Sequence, residues 1–436
     1  MASNRAFMER LGYTFRALRS RNFMLYYIGQ GVSLIGTWMQ RMAMWWLVYR
    51  LTGSTLLLAT VEFMGQIATF LLTPLAGVVA DRCNRRRLII MCQITATVQA
   101  SILAALALTG IVRIWHLMLL GVVMGVVNAF DMPARQSFLL EMVGKKEDLS
   151  NAIALQSTMV NGSRLIGPAV GGFIVSWLGE GVCFIINALS FGAVIIALFK
   201  MKIAFPGKRD DGTRFFRGFR EGVQYVFRHS LIRNILLLLC LASLTGMTYM
   251  IIMPSYVKDI LKSGPRTMGY LMAAGGLGAI TGAVYLTLRK TQAGLERIIS
   301  YASILFGTGL VALSFARQFS LAFVFIMLVG IGMMLQTVSS NTILQIMSEN
   351  SKRGRVMGFY TFSFIGLAPF GSLLSGFLAH QYGVHGAFLC IGISCLAGGV
   401  LFNAWLSMGR RMKVSGESRE TGPDMVFSEP AGMPED

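Results

Sequence analysis

Apolar residues in this chain gather into long runs, and charged residues, glycine and proline collect in the short stretches between them. Twelve runs stand out. In the first half they cover 24–49, 56–80, 88–108, 114–130, 152–178 and 182–199; in the second half, 235–257, 268–288, 298–316, 321–336, 357–379 and 384–407. A helix needs about 20 apolar residues to cross the hydrocarbon core of a bilayer, so the pattern predicts twelve membrane-spanning helices joined by short connections. The rest of the chain divides around them: a segment 1–22, a first bundle 23–202, a linker 203–233, a second bundle 234–408 and a tail 409–436.

Composition agrees. Of the 436 residues 54% are hydrophobic and 14% charged, a balance that excludes an ordinary soluble domain. The net charge of +19 would suit nucleic acid, but the basic residues sit in short clusters between apolar runs instead of along one solvated face, and no nucleic-acid partner is expected. Their placement fixes an orientation. Loops on the side of the termini hold 31 Lys and Arg, whereas the opposite loops hold six: Arg50, Arg113, Lys258, Lys262, Arg266 and Arg317. Basic loops stay in the cytoplasm, so both termini are expected there. Phe7, Leu11, Phe15 and Leu18 among arginines, and Phe215, Phe219, Val223 and Phe227 in the linker, form apolar stripes suited to helices lying on the anionic inner leaflet. The tail, with Pro423 and Pro430 and no apolar period, is expected to be disordered.

The two halves repeat. Gly77 and Gly282, Pro168 and Pro369, Phe184 and Phe388, and Ser190 and Ser394 recur at a nearly constant offset, the mark of a duplicated six-helix unit. A parallel repeat of this kind puts a substrate cavity between the halves near the bilayer midplane.

Charge inside the bilayer is costly, so the few in-span charges are informative. Glu62 is the single acid well inside a span, and Arg41 lies in the preceding one. The midpoint between them falls at the Leu51–Thr52 turn, so at 1.5 Å rise per residue both lie at one depth, roughly 12–15 Å from the outer surface. An Arg41–Glu62 ion pair is expected. It either couples transport to protons, Glu62 taking a proton and releasing Arg41, or neutralises two buried charges and orders the hairpin. Arg164, three residues before Gly167-Pro168, faces the cavity and favours an anionic group, or packs against helix carbonyls. Gln30, Gln40, Gln66, Asn128, Asn161, Asn187 and Gln336 are in-span polar groups expected to face protein, and all but Asn187 are substrate-binding candidates. Met247, Met250, Met253, Met268 and Met272 read as adaptable packing in preference to a soft-metal path. Six scattered cysteines and four histidines offer no metal or catalytic grouping, and no phosphate-binding loop or G-x-S-x-G elbow is present, so neither an enzyme nor a cofactor is expected.

Two motifs carry a resemblance. Gly77-Val-Val-Ala-Asp81-Arg82-Cys83-Asn84-Arg85-Arg86-Arg87 resembles the loop signature between the second and third spans of the major facilitator superfamily, with Asn84 where that signature has glycine, a residue type that tolerates a left-handed turn. Gly167-Pro168-Ala-Val-Gly171-Gly172 is similar to the core of that superfamily's antiporter motif, with Ala154 and Ser163 replacing upstream glycines. Short phrases such as Trp46-Leu-Val-Tyr49 and Asp131-Met-Pro-Ala-Arg135-Gln136 resemble the branch of the enterobactin exporter and related secretion and drug-efflux carriers. The resemblance implies an all-α membrane protein of twelve helices in two six-helix bundles, working by rocker-switch alternating access in the bacterial cytoplasmic membrane, with no cofactor. It implies that Gly77, Asp81, Arg82, Arg85, Arg86, Asp131 and Arg135 form a conformational switch, Asp81 facing the start of the eleventh helix near Met357 and Arg85 pairing with Asp131; Arg82, Arg86 and Arg87 read equally well as positive-inside anchors. The implied activity is proton-coupled export of a siderophore-like or amphipathic small molecule by a monomer in contact with lipid. Import of a small anion or metal chelate, lysophospholipid flipping and a non-transporting sensor remain alternatives.

Overall fold

The computed structural model describes residues 16–201, 223–289, 291, 293–349 and 352–416. The tail beyond Gly416 and, of the two apolar stripes, Phe7, Leu11, Phe15, Phe215 and Phe219 lie outside the described residues; residues 409–416, where disorder is expected, instead extend the last helix. Among the described residues twelve long helices follow one another antiparallel along the chain. The first six are α1 (Arg21–Thr52), α2 (Thr55–Arg82), α3 (Arg85–Leu108), α4 (Ile114–Val143), α5 (Leu149–Leu178) and α6 (Glu180–Lys200). The second six are α7 (Ser230–Ile260), α8 (Pro265–Leu288), α9 (Leu295–Phe315), α10 (Phe319–Met347), α11 (353–382) and α12 (384–416).

Local chemistry sets the ends. Ser20 and Ser54 cap α1 and α2, each side chain accepting from the backbone N–H three residues on, and Gly53 ends α1 in the left-handed conformation with φ +62°. Asn84 differs from its expected role. Its φ is −67°, not left-handed, and its side chain accepts from Arg87 N at 3.1 Å, so asparagine stands there as the N-cap of α3.

Hydropathy and length alone mark nine crossings among the described residues, one of them Arg353–Met408. That stretch is two helices broken at Gly383, whose φ of 69° and ψ of 174° only glycine adopts readily. Gly179 breaks the chain between α5 and α6 in the same way, φ 83° and ψ 171°, at the repeat offset from Gly383. The duplication therefore extends to backbone geometry. The two helices that fall short on hydropathy are α1, with Gln40 and Arg41, and α5, with Asn161 and Arg164; the residues that lower their hydropathy are among those singled out for chemistry.

Packing repeats as well: α2 lies on α4 as α8 lies on α10, and α3 on α6 as α9 on α12. The bundles meet along two related seams, α5 against α8 and α2 against α11. Large apolar side chains such as Leu71, Leu189, Leu288 and Leu401 stay exposed on the outer faces, as a lipid-facing surface requires.

The core shows how the bundles stand. At the end away from the termini one apolar cluster is shared by both, joining Leu47, Val48 and Leu58 to Ile252, Leu271 and Phe388. At the end bearing the termini it splits. Phe23, Phe138 and Leu198 belong to one cluster within the first bundle, and Ile235, Leu344 and Val356 to another within the second. The molecule is sealed at the far end and parted near the termini.

Two helices facing the parting are irregular. α7 contains a π-turn at Ala242–Gly246 and a tight 3-10 stretch at Met247–Ile252; α11 contains a π-turn at Phe362–Gly366. Pro254 and Pro369 follow closely, and each removes the N–H that would bond one turn back, which loosens the ladder before it.

Candidate functional site

Between the bundles lies a cavity of about 1620 Å³ that reaches from Trp45, Glu62 and Tyr249 deep in the molecule to Gln136 and Arg355 at the parted end. Arg41, Glu62, Gln66, Gln30, Gln40, Asn128, Asp131, Arg135 and Arg164 line it. Asn161 and Gln336 do not, which corrects their expected place in the binding wall. Asn161 donates to Ser157 O of its own helix at 2.9 Å. Gln336, 1% exposed, is turned into the second bundle, where its amide makes no hydrogen bond.

Arg41 and Glu62 meet 2.9 Å apart. The observed turn lies at Gly53–Ser54, two residues beyond the Leu51–Thr52 midpoint, so the two residues meet although Arg41 stands about one helical turn farther from the turn than Glu62. The pair is uneven: the Glu62 side chain is 5% exposed and that of Arg41 39%. Trp45 Nε1 donates to the second carboxylate oxygen at 2.8 Å, and Gln66 Nε2 donates to the first at 2.8 Å. Glu62 is therefore the fixed member, its charge satisfied from three sides, and Arg41 is the member facing the cavity. Gln66 also approaches Ser372 on α11 at 3.4 Å, linking this group to the second bundle.

Trp38, Arg41 and Trp45 share one face of α1, at spacings of three and four residues. The Arg41 guanidinium carbon lies 5.4 Å from the Trp38 ring centroid, and that of Arg164, on α5, lies 5.2 Å from the same ring. Spacing on α1 could have flagged Trp38 and Trp45; nothing local signals Tyr249, which lines the cavity beside Arg164 from α7.

Nearer the parted end, Arg135 bonds Asp131 one turn back and Gln30 on α1, with its guanidinium carbon 5.9 Å from the Tyr26 ring centroid. Gln93 donates to Asp131 at 3.2 Å. The expected Arg85–Asp131 pair does not form: Arg85 pairs with Glu141. Register explains it. α4 continues past Phe130 to Val143, and with Gln93 of α3 level with Asp131, Arg85 two turns earlier comes level with Glu141. Arg86 donates to Phe199 O at the end of α6 at 3.1 Å, bracing the first bundle, and Arg82 is exposed. The Asp81 side chain lies outside the described residues, and a side chain at Gly77 would meet open space.

The glycines at 167–172 act by closeness. A Cβ on Gly167 would stand 2.6 Å from Trp38 Cβ, and one on Gly172 would stand 2.6 Å from Pro265 O and 3.0 Å from Gly269 Cα across the α5–α8 seam. The motif thus sets α5 against both α1 and the second bundle. Farther out the seal is polar: Tyr49 hydrogen-bonds Asp259, and Lys258 lies 5.4 Å from the Tyr49 ring centroid. Met247, Met250 and Met272 line the cavity, whereas Met253 and Met268 are buried in the shared core. Among the described residues no group of His, Cys, Asp or Glu could hold a metal ion.

A family model described as "Transmembrane secretion effector" matches residues 13–427. The multidrug efflux pump Tap of Mycolicibacterium fortuitum is 25% identical over 384 residues, covering 86% of this chain and 91% of its own. The staphyloferrin A transporter of Staphylococcus aureus is 22% identical, covering 89% and 96%. Among solved structures, the nucleoside transporter NupG aligns over 90% of this chain and 99% of its own with a TM-score of 0.68 at 13% identity. A bacterial homolog of the human lysosomal transporter Spinster, in an inward-facing and unoccupied conformation, aligns over 88% and 95% with a TM-score of 0.64 at 15% identity.

Proposed function

The chain belongs to the transmembrane secretion effector family of the major facilitator superfamily and is a membrane transporter of small molecules, and from that premise we propose that it is a proton-coupled exporter of an amphipathic or siderophore-like compound across the bacterial cytoplasmic membrane. The observation that carries the reading is the Arg41–Glu62 pair in the wall of a cavity that is sealed at one end and parted at the other. The surplus of basic residues in loops near the termini supports cytoplasmic termini. The parted end then faces the cytoplasm, where a compound made inside the cell enters.

Export follows from rocking the bundles. The seams from Tyr49–Asp259 to Gly172–Gly269 open, the parted end closes, and the cavity meets the outer phase. Glu62 takes a proton there. A neutral carboxyl no longer holds Arg41, so the two states bind the proton with different affinity, and that difference is what lets a gradient drive the cycle. The efflux function printed for Tap supports the direction. Arg164, a cation without a carboxylate partner, favours a second reading in which a small anion or metal chelate is taken up.

The test compares, by mass spectrometry, spent medium from iron-starved cells with the gene deleted and with it restored. A compound lost from the medium and retained in the cells on deletion establishes export. Unchanged medium with slower uptake of an added iron chelate replaces this reading with the second.

A further inference from the structure

The cavity wall holds several arginines, but they are not alike. Arg41 is bound to Glu62, and Arg135 to Asp131 and Gln30. Arg164 has no such partner: its Nε is buried without a hydrogen bond, and no carboxylate pairs with it among the described residues. Its one specific contact is with the face of Trp38. A stacking partner orients a guanidinium but leaves its N–H donors unanswered. Taking a cation out of bulk water without a counter-charge is unfavourable, so the site is electrostatically incomplete as it stands.

We infer that Arg164 and Tyr249 form a subsite for the carboxylate of an amphipathic ligand whose apolar body lies on the methionine-rich second-bundle wall of the cavity. A guanidinium offers two parallel N–H groups to a carboxylate. Tyr249 is 2% exposed, and its hydroxyl, 3.2 Å from where a Cβ on Gly275 would stand while the next residue, Gly276, packs on Leu165 beside Arg164, supplies a further donor. The two residues come from different bundles, α5 and α7. An anion held between them therefore touches both halves of the molecule at once, next to the α5–α8 seam that must part during the cycle. Met247, Met250 and Met272 stand close by with flexible, polarizable side chains that conform to ligands of different outline. The inference rests on reading this cavity as the transport site, in either direction.

The test uses the full-length protein in phosphatidylcholine nanodiscs, titrated calorimetrically with 2-naphthoate and with its neutral counterpart 2-naphthalenemethanol. The wild type is expected to bind naphthoate roughly tenfold or more tightly than the alcohol, the scale of a hydrogen-bonded charge. Arg164→Gln removes the preference, Arg164→Lys restores part of it, and Tyr249→Phe lowers it a few-fold, while alcohol binding stays constant and reports an intact cavity. Equal binding of the two probes to the wild type, or a preference that survives Arg164→Gln, overturns the proposal. If Arg164→Gln fails to fold, the Lys and Phe variants decide, and an unchanged preference in both overturns it. Adding phosphatidylglycerol leaves naphthoate affinity unchanged; its loss would assign Arg164 to a lipid phosphate and reject the carboxylate. Flux in proteoliposomes separates the two readings: a binding preference without movement of either probe retains the subsite and removes the transport reading, whereas movement without a preference does the reverse.

Discussion

The two walls of the cavity descend from one duplicated unit and have diverged in kind. The first-bundle wall carries Arg41, Glu62, Asp131 and Arg135, tied into ordered networks, and Arg164, stacked on Trp38 without a counter-charge. The second-bundle wall carries methionines, glycines and aromatics, with Arg355 near the mouth as its one charged lining residue. The in-span amide that would have given it comparable polarity, Gln336, points away from the cavity. Charge needs partners at fixed geometry, whereas apolar contact is tolerant of shape. One half of the molecule is thus suited to gating and recognition of charge, the other to accommodating varied apolar bodies.

The sharpest way to break this division is Glu62→Gln, which nearly keeps the side-chain volume and removes the titrating group, at the cost of one acceptor, since the new amide NH2 faces a donor from Trp45, Arg41 or Gln66. Gradient-driven flux is expected to fall roughly 5- to 150-fold, the ordinary scale of a coupling free energy, with ligand binding retained. Unchanged flux would leave the Arg41–Glu62 pair a structural element only.

Gly172→Ala acts next, through the seam and not the chemistry. Its methyl group would meet Pro265 O at 2.6 Å, an overpacking of about 1–3 kcal/mol that falls on the sealed end. The bundles should be biased apart there, so a Met44→Cys reporter becomes several-fold more reactive towards a membrane-impermeant maleimide added from outside. Tyr49→Phe removes the hydroxyl that meets Asp259 and should shift the same reporter in the same direction by about 1 kcal/mol or less; a larger effect than that of Gly172→Ala would move the main closure to the polar outer seal. Smallest is Met250→Leu on the second wall, a near-isosteric change worth under about 1.5 kcal/mol, seen as a modest change in the range of compounds to which expressing cells are resistant. If it stops transport as Glu62→Gln does, the division between the walls is wrong.

Much of the architecture was legible in the chain because a membrane span is largely a local property of length and apolarity, even where, as in α1 and α5, in-span polar residues lower the hydropathy. The Arg41–Glu62 contact was legible for a related reason. A short turn between helices restricts register, so counting depth outward from the Leu51–Thr52 midpoint paired the two residues although the observed turn lies two residues later. Arg85 was misassigned because the length of α4 beyond Phe130, which sets what lies level with Arg85, is not encoded in hydropathy. Asn84 caps a helix where the loop signature suggests a left-handed turn; both roles suit asparagine, and the backbone alone distinguishes them.

The number of crossings, the duplication, the placement of charge and the Arg41–Glu62 pair could all be read along the chain. Helix packing alone set which polar residues reach the cavity, that Trp38 serves both Arg41 and Arg164, that Tyr249 and Arg164 line it from different bundles, and which end is sealed. The physical reason is that helical periodicity shows which residues share a face, but not what the face meets. In a span that is apolar nearly all round, a face towards lipid and a face towards another helix read alike until packing separates them.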